Sequence, residues 1–394
     1  MQTELVLEQA LTALGGTVER GVRVTGVAHD DTRVTVTTQG PDGTRHIGAD
    51  WLIAADGVRS SVREHLGIAF AGEPVPATYL LAEGSVDGPF ARDELHYFLG
   101  TTGTLVVAPL PDSVVRVGGG VPDGTEPDLA AVQRLLDERG PGGLRMVEAA
   151  SITTFTSAER VAATLRRGRC FLAGDAAHTH AAVGGQGLNL ALEDVRNLVW
   201  KLAGVIGGRF APAILDSYDI ERRCAAEDTV RVTRLLARLA LLGPVAARVR
   251  NTVWRLASAT GVLRRRYAPV LAGSRSRYTE GVVLPAPARR ASLPPPGTRT
   301  PAWVPAPATD PRRFRLVTLG APTGALVDGA RTVARRFPAL VGHEHLTRRG
   351  SGFLLLRPDG YVAATGTGPD GLAGVETVLR DLALTARSPV VAAG

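Results

Sequence analysis

Lysine is almost missing from this chain of 394 residues: Lys201 is the only one among 45 basic side chains, and the rest are arginine. The arginines are scattered, with no block of about five or six like charges. The formal charge of +7 therefore marks a solvated surface, and with aromatics at only 5% there is no aromatic-rich basic stripe for nucleic acid. An anionic small molecule remains compatible. Cysteine is as scarce: Cys170 and Cys224 cannot build a disulfide framework, and they lack the spacing of metal ligands. No stretch approaches about 18 uninterrupted apolar residues. The segment Met1, Gln2, Thr3, Glu4, Leu5 lacks the charged leader and apolar run of a secretory signal. A cytoplasmic protein with no membrane partner is expected.

What is present is ordinary for a folded chain, with 44% hydrophobic and 21% charged residues. At roughly 150 residues per domain, two or three domains and more than one core are expected. Leu5, Leu7, Leu11 and Leu14 fall near helical spacing over residues 2–14, and Gly15 and Gly16 provide a stop. Alternating segments 17–28, 32–38 and 45–55, joined by turn formers such as Asp30-Asp31, predict a β-meander ending in the apolar strand 51–55. Residues 76–155 read as a sheet-rich insert with one helix over 129–138. Strand 170–173 then enters a glycine-rich turn, and a helix is expected over 188–205. Residues 213–260 are mostly helical, with a break at Gly243-Pro244. Their basic amphipathic stretch fits a helix pair packed on the body better than a membrane surface. The proline-rich stretch 285–307 marks a linker or wrapped extended segment. Residues 314–384 read as strand, helix, strand, strand, helix.

Three glycine-rich signals compete for the chemistry. Gly366, Gly368 and Gly371 match GxGxxG, but only 23 residues follow, too few for the rest of a βαβ unit, so they read as a turn. Asp56, Gly57, Ser60 and Arg63 lie where an apolar strand gives way to a helix; Ser60 can cap that helix and Arg63 sits one turn along it. This is either a capped turn or a phosphate site. The strongest signal is Gly174, Asp175 and His178, followed by Gly184, Gly185, Gln186, Gly187, Leu188, Asn189 and a helix carrying Asp194, Asn197, Trp200 and Lys201. A carboxylate at a strand end can hold a sugar hydroxyl, and glycines let backbone approach a planar or phosphate ligand ahead of a positive helix start. His178 and His180 lie two apart without a third ligand, so no metal site is expected. Tyr79, Tyr97, Phe98 and Trp51 read as core or pocket wall, and Cys170 as a buried hydrophobe.

The pair DGxxSxxR and, later, GDAAH with GGQGxN resembles the group A FAD-dependent aromatic monooxygenases, the p-hydroxybenzoate hydroxylase superfamily. Arg357, Pro358, Asp359, Gly360, Tyr361 and Val362, with Pro296, Gly297, Arg299 and Pro301 before them, resemble the C-terminal thioredoxin-like domain of the branch that hydroxylates aromatic polyketides. The resemblance covers essentially the whole chain. It implies that Asp175, after Gly174, binds the FAD ribityl chain, and that Gly185, Gly187, Leu188 and Asn189 flank the flavin pyrimidine edge. Asp56, Gly57 and Arg63 would lie near the pyrophosphate and take part in NADPH handling, and Gln2 would also touch the cofactor. None of these is a proton-transfer catalyst, and no catalytic residue is assigned. The implied reaction is reduction of FAD by NADPH or NADH, reaction with O2, and transfer of one oxygen from a flavin C4a-hydroperoxide to an electron-rich ring.

On this reading the fold is α/β joined to α+β. The FAD-binding domain is Rossmann-like and occupies 1–75 and 156–284, the sheet-rich substrate insert 76–155, and a linker with the thioredoxin-like domain 285–394. Relatives begin with a strand and a GxGxxG turn ahead of the helix that here starts at Gln2, and these 394 residues contain neither, so the FAD domain is expected to be incomplete. Exposed sheet edge and apolar helix faces would follow, together with self-association or a complementing chain. Relatives usually carry proline where Ala181 or Ala182 stands, and the tail has no CxxC, so its thioredoxin-like shape would be structural. Two further readings stay open: a flavin-free binding protein, scaffold or non-redox cyclase using the old aromatic pocket, or a truncated fragment of the monooxygenase.

Overall fold

The short apolar strand that ends the meander also begins the part of the molecule that matters for the site. In the computed structural model α1 (Gln2–Ala13) is followed by the antiparallel strands β1 (Arg23–His29), β2 (Val34–Gly40) and β3 (Gly43–Ala49), in sheet order β1-β2-β3. The expected third strand breaks at Asp50 and Trp51. Its apolar end, β4 (Leu52–Ala54), leaves the meander and pairs in parallel with β11 (Cys170–Leu172), Leu52 opposite Cys170 and Ala54 opposite Leu172. The described residues are 2–100, 102–181, 185–240, 242–267, 269, 277–284, 293–306, 310–321, 323–348 and 350–384. Ala182, Gly184 and residues 285–292 of the proline-rich stretch lie outside them.

After α2 (Ser61–His65) the chain enters a six-stranded antiparallel sheet. Its strands are β5 (Phe70–Asp87), β6 (His96–Leu99), β7 (Thr104–Pro109), β8 (Val115–Val121), β9 (Arg145–Ala162) and β12 (His178–Thr179), in spatial order β12-β9-β5-β8-β7-β6. Residues 76 and 155 both fall inside its two longest strands, β5 and β9, which run on toward the β4–β11 pair. Alternation places Leu80, Ala82, Val86, Leu105, Val107, Val115 and Val117 on one face, buried under Val132, Leu135 and Leu136 of α3 (Leu129–Arg139). Asp128 starts α3 by accepting the backbone N–H of Ala131 at 2.7 Å.

The helices α4 (Gly187–Ile206), α5 (Asp216–Ala240) and α6 (Pro244–Ala259) follow, with Pro244 opening α6 as the Gly243-Pro244 break requires. The C-terminal unit has one strand more than the sequence pattern suggested: β13 (Phe314–Leu319), α7 (Ala325–Arg336), β14 (Val341–Leu346), β15 (Gly352–Leu356), β16 (Val362–Gly366) and α8 (Leu372–Leu384). Its sheet order is β14-β13-β15-β16, with β13 and β14 parallel and the other neighbours antiparallel. Gly366, Gly368 and Gly371 form the turn between β16 and α8. Trp200 of α4 packs edge to face on Phe210 and on Phe314 of β13, both at 5.5 Å, so one apolar core runs from β11 and α4 into this unit.

A second bond between these parts is ionic and almost wholly dry. Lys201, Glu221, Arg222, Asp194, Arg357 and Asp359 are each at most 2% exposed, three cations against three carboxylates. Glu221 of α5 accepts from Lys201 Nζ at 2.8 Å, from both terminal nitrogens of Arg357 at 2.6 and 2.8 Å, from Asn197 Nδ2 at 2.7 Å and from the Val282 backbone at 2.8 Å. Arg357 also donates to Asp359, and Trp200 Nε1 reaches Asp359 at 3.1 Å. Burial works against a charged Glu221, yet Arg357 and then Lys201 hold its carboxyl far below the usual range; burial pushes Lys201 down to about 8.

Cys170, on the buried strand β11, has its thiol pushed up to about 11 by burial, and burial also raises that of half-buried Cys224. An aromatic disulfide reagent at mildly alkaline pH should therefore leave Cys170 untouched in the folded protein and modify both cysteines after unfolding in denaturant. Rapid modification of both in the folded state would contradict this packing.

Candidate functional site: two strand-end turns at the start of a long helix

The parallel pairing of β4 with β11 brings together two turns that lie more than a hundred residues apart in sequence. The Ala173 backbone donates to Ala54 O at 2.9 Å, so the chain leaves both strands side by side. After β4, Gly57 adopts φ +81° with nothing within 4 Å of where a Cβ would stand; backbone conformation, not space, requires glycine there. Ser60 caps α2 by accepting the Arg63 N–H at 3.0 Å, as the sequence suggested, and Asp56 adds a second cap by accepting the Val62 N–H at 3.1 Å. Asp56 remains exposed.

Arg63 joins the two turns. Its Nη1 donates to Ala176 O and its Nη2 to Val58 O, both at 2.9 Å, and the guanidinium lies over the Phe70 ring at 3.9 Å. At 5% exposure it is a clamp between the motifs, turned inward, and burial lowers its proton affinity.

The turn after β11 is fixed from below by a residue whose role sequence reasoning missed. Gly174, at φ +60°, donates its N–H to Asp194 Oδ2 at 2.9 Å; His178 Nε2 meets the same oxygen at 2.7 Å, and Arg222 Nε donates to Oδ1 at 2.7 Å. Burial alone would raise the Asp194 carboxyl, but Arg222 and His178 hold it below its ordinary range. Arg222 in turn donates to Tyr278 Oη at 2.9 Å and Leu190 O at 3.0 Å. The sequence carried half of this signal: Asp194, Asn197 and Lys201 recur on the buried face of α4 beside Leu190 and Leu198. Arg222 and Glu221 carried none, because a single charged residue in a helix reads as surface.

Above this base the surface is polar and open. Asp175 is exposed and its carboxylate makes no hydrogen bond to the described residues. Gly185, at φ +63°, leads into α4, which has no side-chain cap at its N-terminus, and Leu188 and Asn189 are exposed at its first turn. Gln186 is 5% exposed; among the described residues its amide nitrogen has no partner, nor has the buried Nε2 of His180, 3.5 Å from where a Cβ on Gly187 would stand. Burial lowers the proton affinity of His180, so the ring is neutral at physiological pH. Among the described residues no cluster of His, Cys, Asp or Glu could hold a metal ion. Gln2 opens α1, whose Leu5, Leu7, Leu11 and Leu14 are exposed, and stands on a separate element from these turns.

A cavity of about 570 Å3 adjoins this surface, between the six-stranded sheet and α5. Val75, Tyr79 and Ala237 line it and also pack around Ala181, the residue that ends the described part of the loop before Gly185. Tyr79, which stacks on Phe155 at 5.6 Å, gives the lining one aromatic ring.

Left-handed glycine turns at the ends of two parallel strands, a free carboxylate, orphaned polar atoms and an uncapped helix start define a site of the dinucleotide-binding kind. Residues 1–233 match the family described as FAD binding domain, and the chain belongs to that family. It is 35% identical over 230 residues to the 6-methylpretetramide 4-monooxygenase of Streptomyces rimosus, across 56% of this chain and 41% of that protein. A longer alignment, 31% identical over 400 residues, joins it to a 12-dehydrotetracycline 5-monooxygenase/anhydrotetracycline 6-monooxygenase of Streptomyces rimosus subsp. rimosus, across 94% and 78%. The fold is similar to that of an anhydrotetracycline hydroxylase from Streptomyces rimosus, with a TM-score of 0.73 at 28% identity over 96% of this chain and 78% of that one. Against three relatives at 34 to 35% identity the chain spans 41 to 56% of their length. The residues that carried the resemblance thus named the right family, and the residues present fit FAD.

Asp194→Ala leaves Arg222 buried without a counter-ion and frees the Gly174 N–H. Unfolding in urea should show a loss of about 3–5 kcal/mol, with part recovered when Arg222→Met is added. A loss below about 1 kcal/mol would mean that the turn is held elsewhere.

Proposed function

We propose that this protein is an FAD- and NAD(P)H-dependent monooxygenase that places one atom of O2 on an aromatic or polyketide ring. The observation that carries this reading is the nearness of the Gly174–Asp175 turn and the start of α4 to the cavity whose lining residues Val75, Tyr79 and Ala237 pack around Ala181. Asp175 would hold a ribityl hydroxyl. Gly185, Gly187, Leu188 and Asn189 would flank the pyrimidine edge, and the roughly half positive charge of the α4 N-terminus would favour an anionic ring. Asp56 and Gly57 would lie by the pyrophosphate, with Arg63 bracing both turns. The chemistry that FAD supplies when bound is hydride acceptance from NAD(P)H and activation of O2.

In this reading the six-stranded sheet roofs the substrate and excludes water. Residues 1–75 and 156–284 form the FAD-binding part, 76–155 the substrate insert and 285–394 the linker and C-terminal unit. That last unit we read as thioredoxin-like, supported by its β14-β13-β15-β16 order with a parallel β13–β14 pair and flanking helices. With no CxxC it acts as structure, anchored by Arg357 and Asp359.

The test is oxygen-18 labelling. FAD-loaded protein given NADPH, 18O2 and a panel of polycyclic phenols should yield a product carrying one labelled oxygen, read by mass spectrometry. NADPH oxidation that releases only hydrogen peroxide with every compound, or none at all, would count against oxygen transfer.

A further inference from the structure

One cation in the wall of the cavity differs from its neighbours. Arg139 is the last residue of α3 and is partly buried. Its Nη1 donates to Thr104 O at 3.1 Å and Gly120 O at 2.7 Å; among the described residues its buried Nε has no partner and Nη2 makes no hydrogen bond. It forms no ion pair among the described residues, and its one acidic influence is the adjacent Glu138. The side chain passes through a slot made for it: Gly103, at φ +134°, would with a Cβ come within 2.9 Å of its Cζ and Nη1.

The other charges around the cavity are paired, hydrogen-bonded or exposed to water. Glu159 is paired with Arg234 at 2.7 Å, and Asp123, exposed, accepts from Thr78 Oγ1 at 2.5 Å. Glu73 and Arg238 are exposed at the mouth, opposite in sign and screened by water. That leaves a partly desolvated guanidinium, held in place by two carbonyls, with one terminal nitrogen open and no counter-ion among the described residues. Burial works against its charge, so an anion placed there relieves a cost already present.

We propose that Arg139 is the specificity residue of this cavity, binding an anionic oxygen substituent, a carboxylate or an ionised phenol, on a planar aromatic ligand that packs against Tyr79. This rests on the cavity being the substrate site. The test is calorimetric titration of the full chain, near neutral pH and at low salt, with anthraquinone-2-carboxylate and its neutral near-isostere anthraquinone-2-carboxamide. A charge-assisted hydrogen bond predicts that the carboxylate binds at least about tenfold more tightly. Arg139→Gln should abolish that preference while leaving carboxamide binding intact, and Arg139→Lys, which keeps a cation and a donor for the carbonyls, should retain part of it.

Equal affinity of the two probes for the unaltered protein, a result that needs no variant to fold, would overturn the proposal. So would a preference that survives Arg139→Gln. Ala77→Trp, which fills the cavity, should weaken both probes. Saturable binding of neither probe, or binding that Ala77→Trp leaves unchanged, would instead overturn the cavity as the aromatic site and the role of Arg139 with it.

Discussion

The carboxylates Asp194 and Glu221 are buried where water cannot solvate them, and much of the molecule is arranged to answer their charge. An isolated carboxylate in such a place would lose its proton only at great cost. Glu221 collects five hydrogen bonds from one helix, a loop and the C-terminal unit, and Asp194 collects one each from a turn, a histidine and an arginine. The two acids sit on adjacent faces of the α4–α5 pair, so α4 cannot shift without disturbing one of them. This explains how the free surface at the start of α4 can be open yet held. It also accounts for the sole lysine: Lys201 fits a compact ammonium between Asn197 Oδ1 and Glu221 at 2.8 Å each, and a planar guanidinium would need more room.

The same constraint gives the C-terminal unit its meaning. Arg357 and Asp359 lie on the turn between β15 and β16, far in sequence from both motifs of the candidate site, yet they close the cage around Glu221 and Trp200. Tyr361, one turn residue further, stacks on Tyr278 at 4.4 Å, and Tyr278 receives Arg222. Through these contacts the unit reaches the base of the Gly174 turn without touching the open surface. A buried ionic cage of this kind specifies one arrangement more than it adds net stability.

Much of the architecture was legible in the residues, because local rules and tertiary packing agree there. The helices over α1, α3 and α4 follow from apolar spacing and stop signals, and the break before α6 from Gly243-Pro244. The family was legible because two motifs of unusual composition keep their order. What the sequence hid are the interactions that only the fold creates. The meander's last strand was read as continuous; a strand of three residues that changes sheets has no periodicity to betray it. An extra strand in the C-terminal unit escaped because β14 ends at Leu346 and β15 already begins at Gly352, close enough to read as one segment. The partner of His178 was hidden because its carboxylate is 16 residues on, in the helix after the loop. The backbone clamp made by Arg63 was hidden because its reach to Ala176 depends on the β4–β11 pairing.

The central claim is that the two turns and the helix start, as this chain folds them, form a flavin site. The most direct measurement is a visible absorbance titration of the purified chain with FAD, for the unaltered protein and for Asp175→Ala. Saturable uptake with resolved flavin bands is expected, and at least about tenfold weaker binding for the variant with unchanged circular dichroism, because the exposed Asp175 carboxylate makes no hydrogen bond to the described residues. A folded protein that leaves the FAD spectrum unperturbed, or an Asp175→Ala variant that binds as tightly, would contradict it.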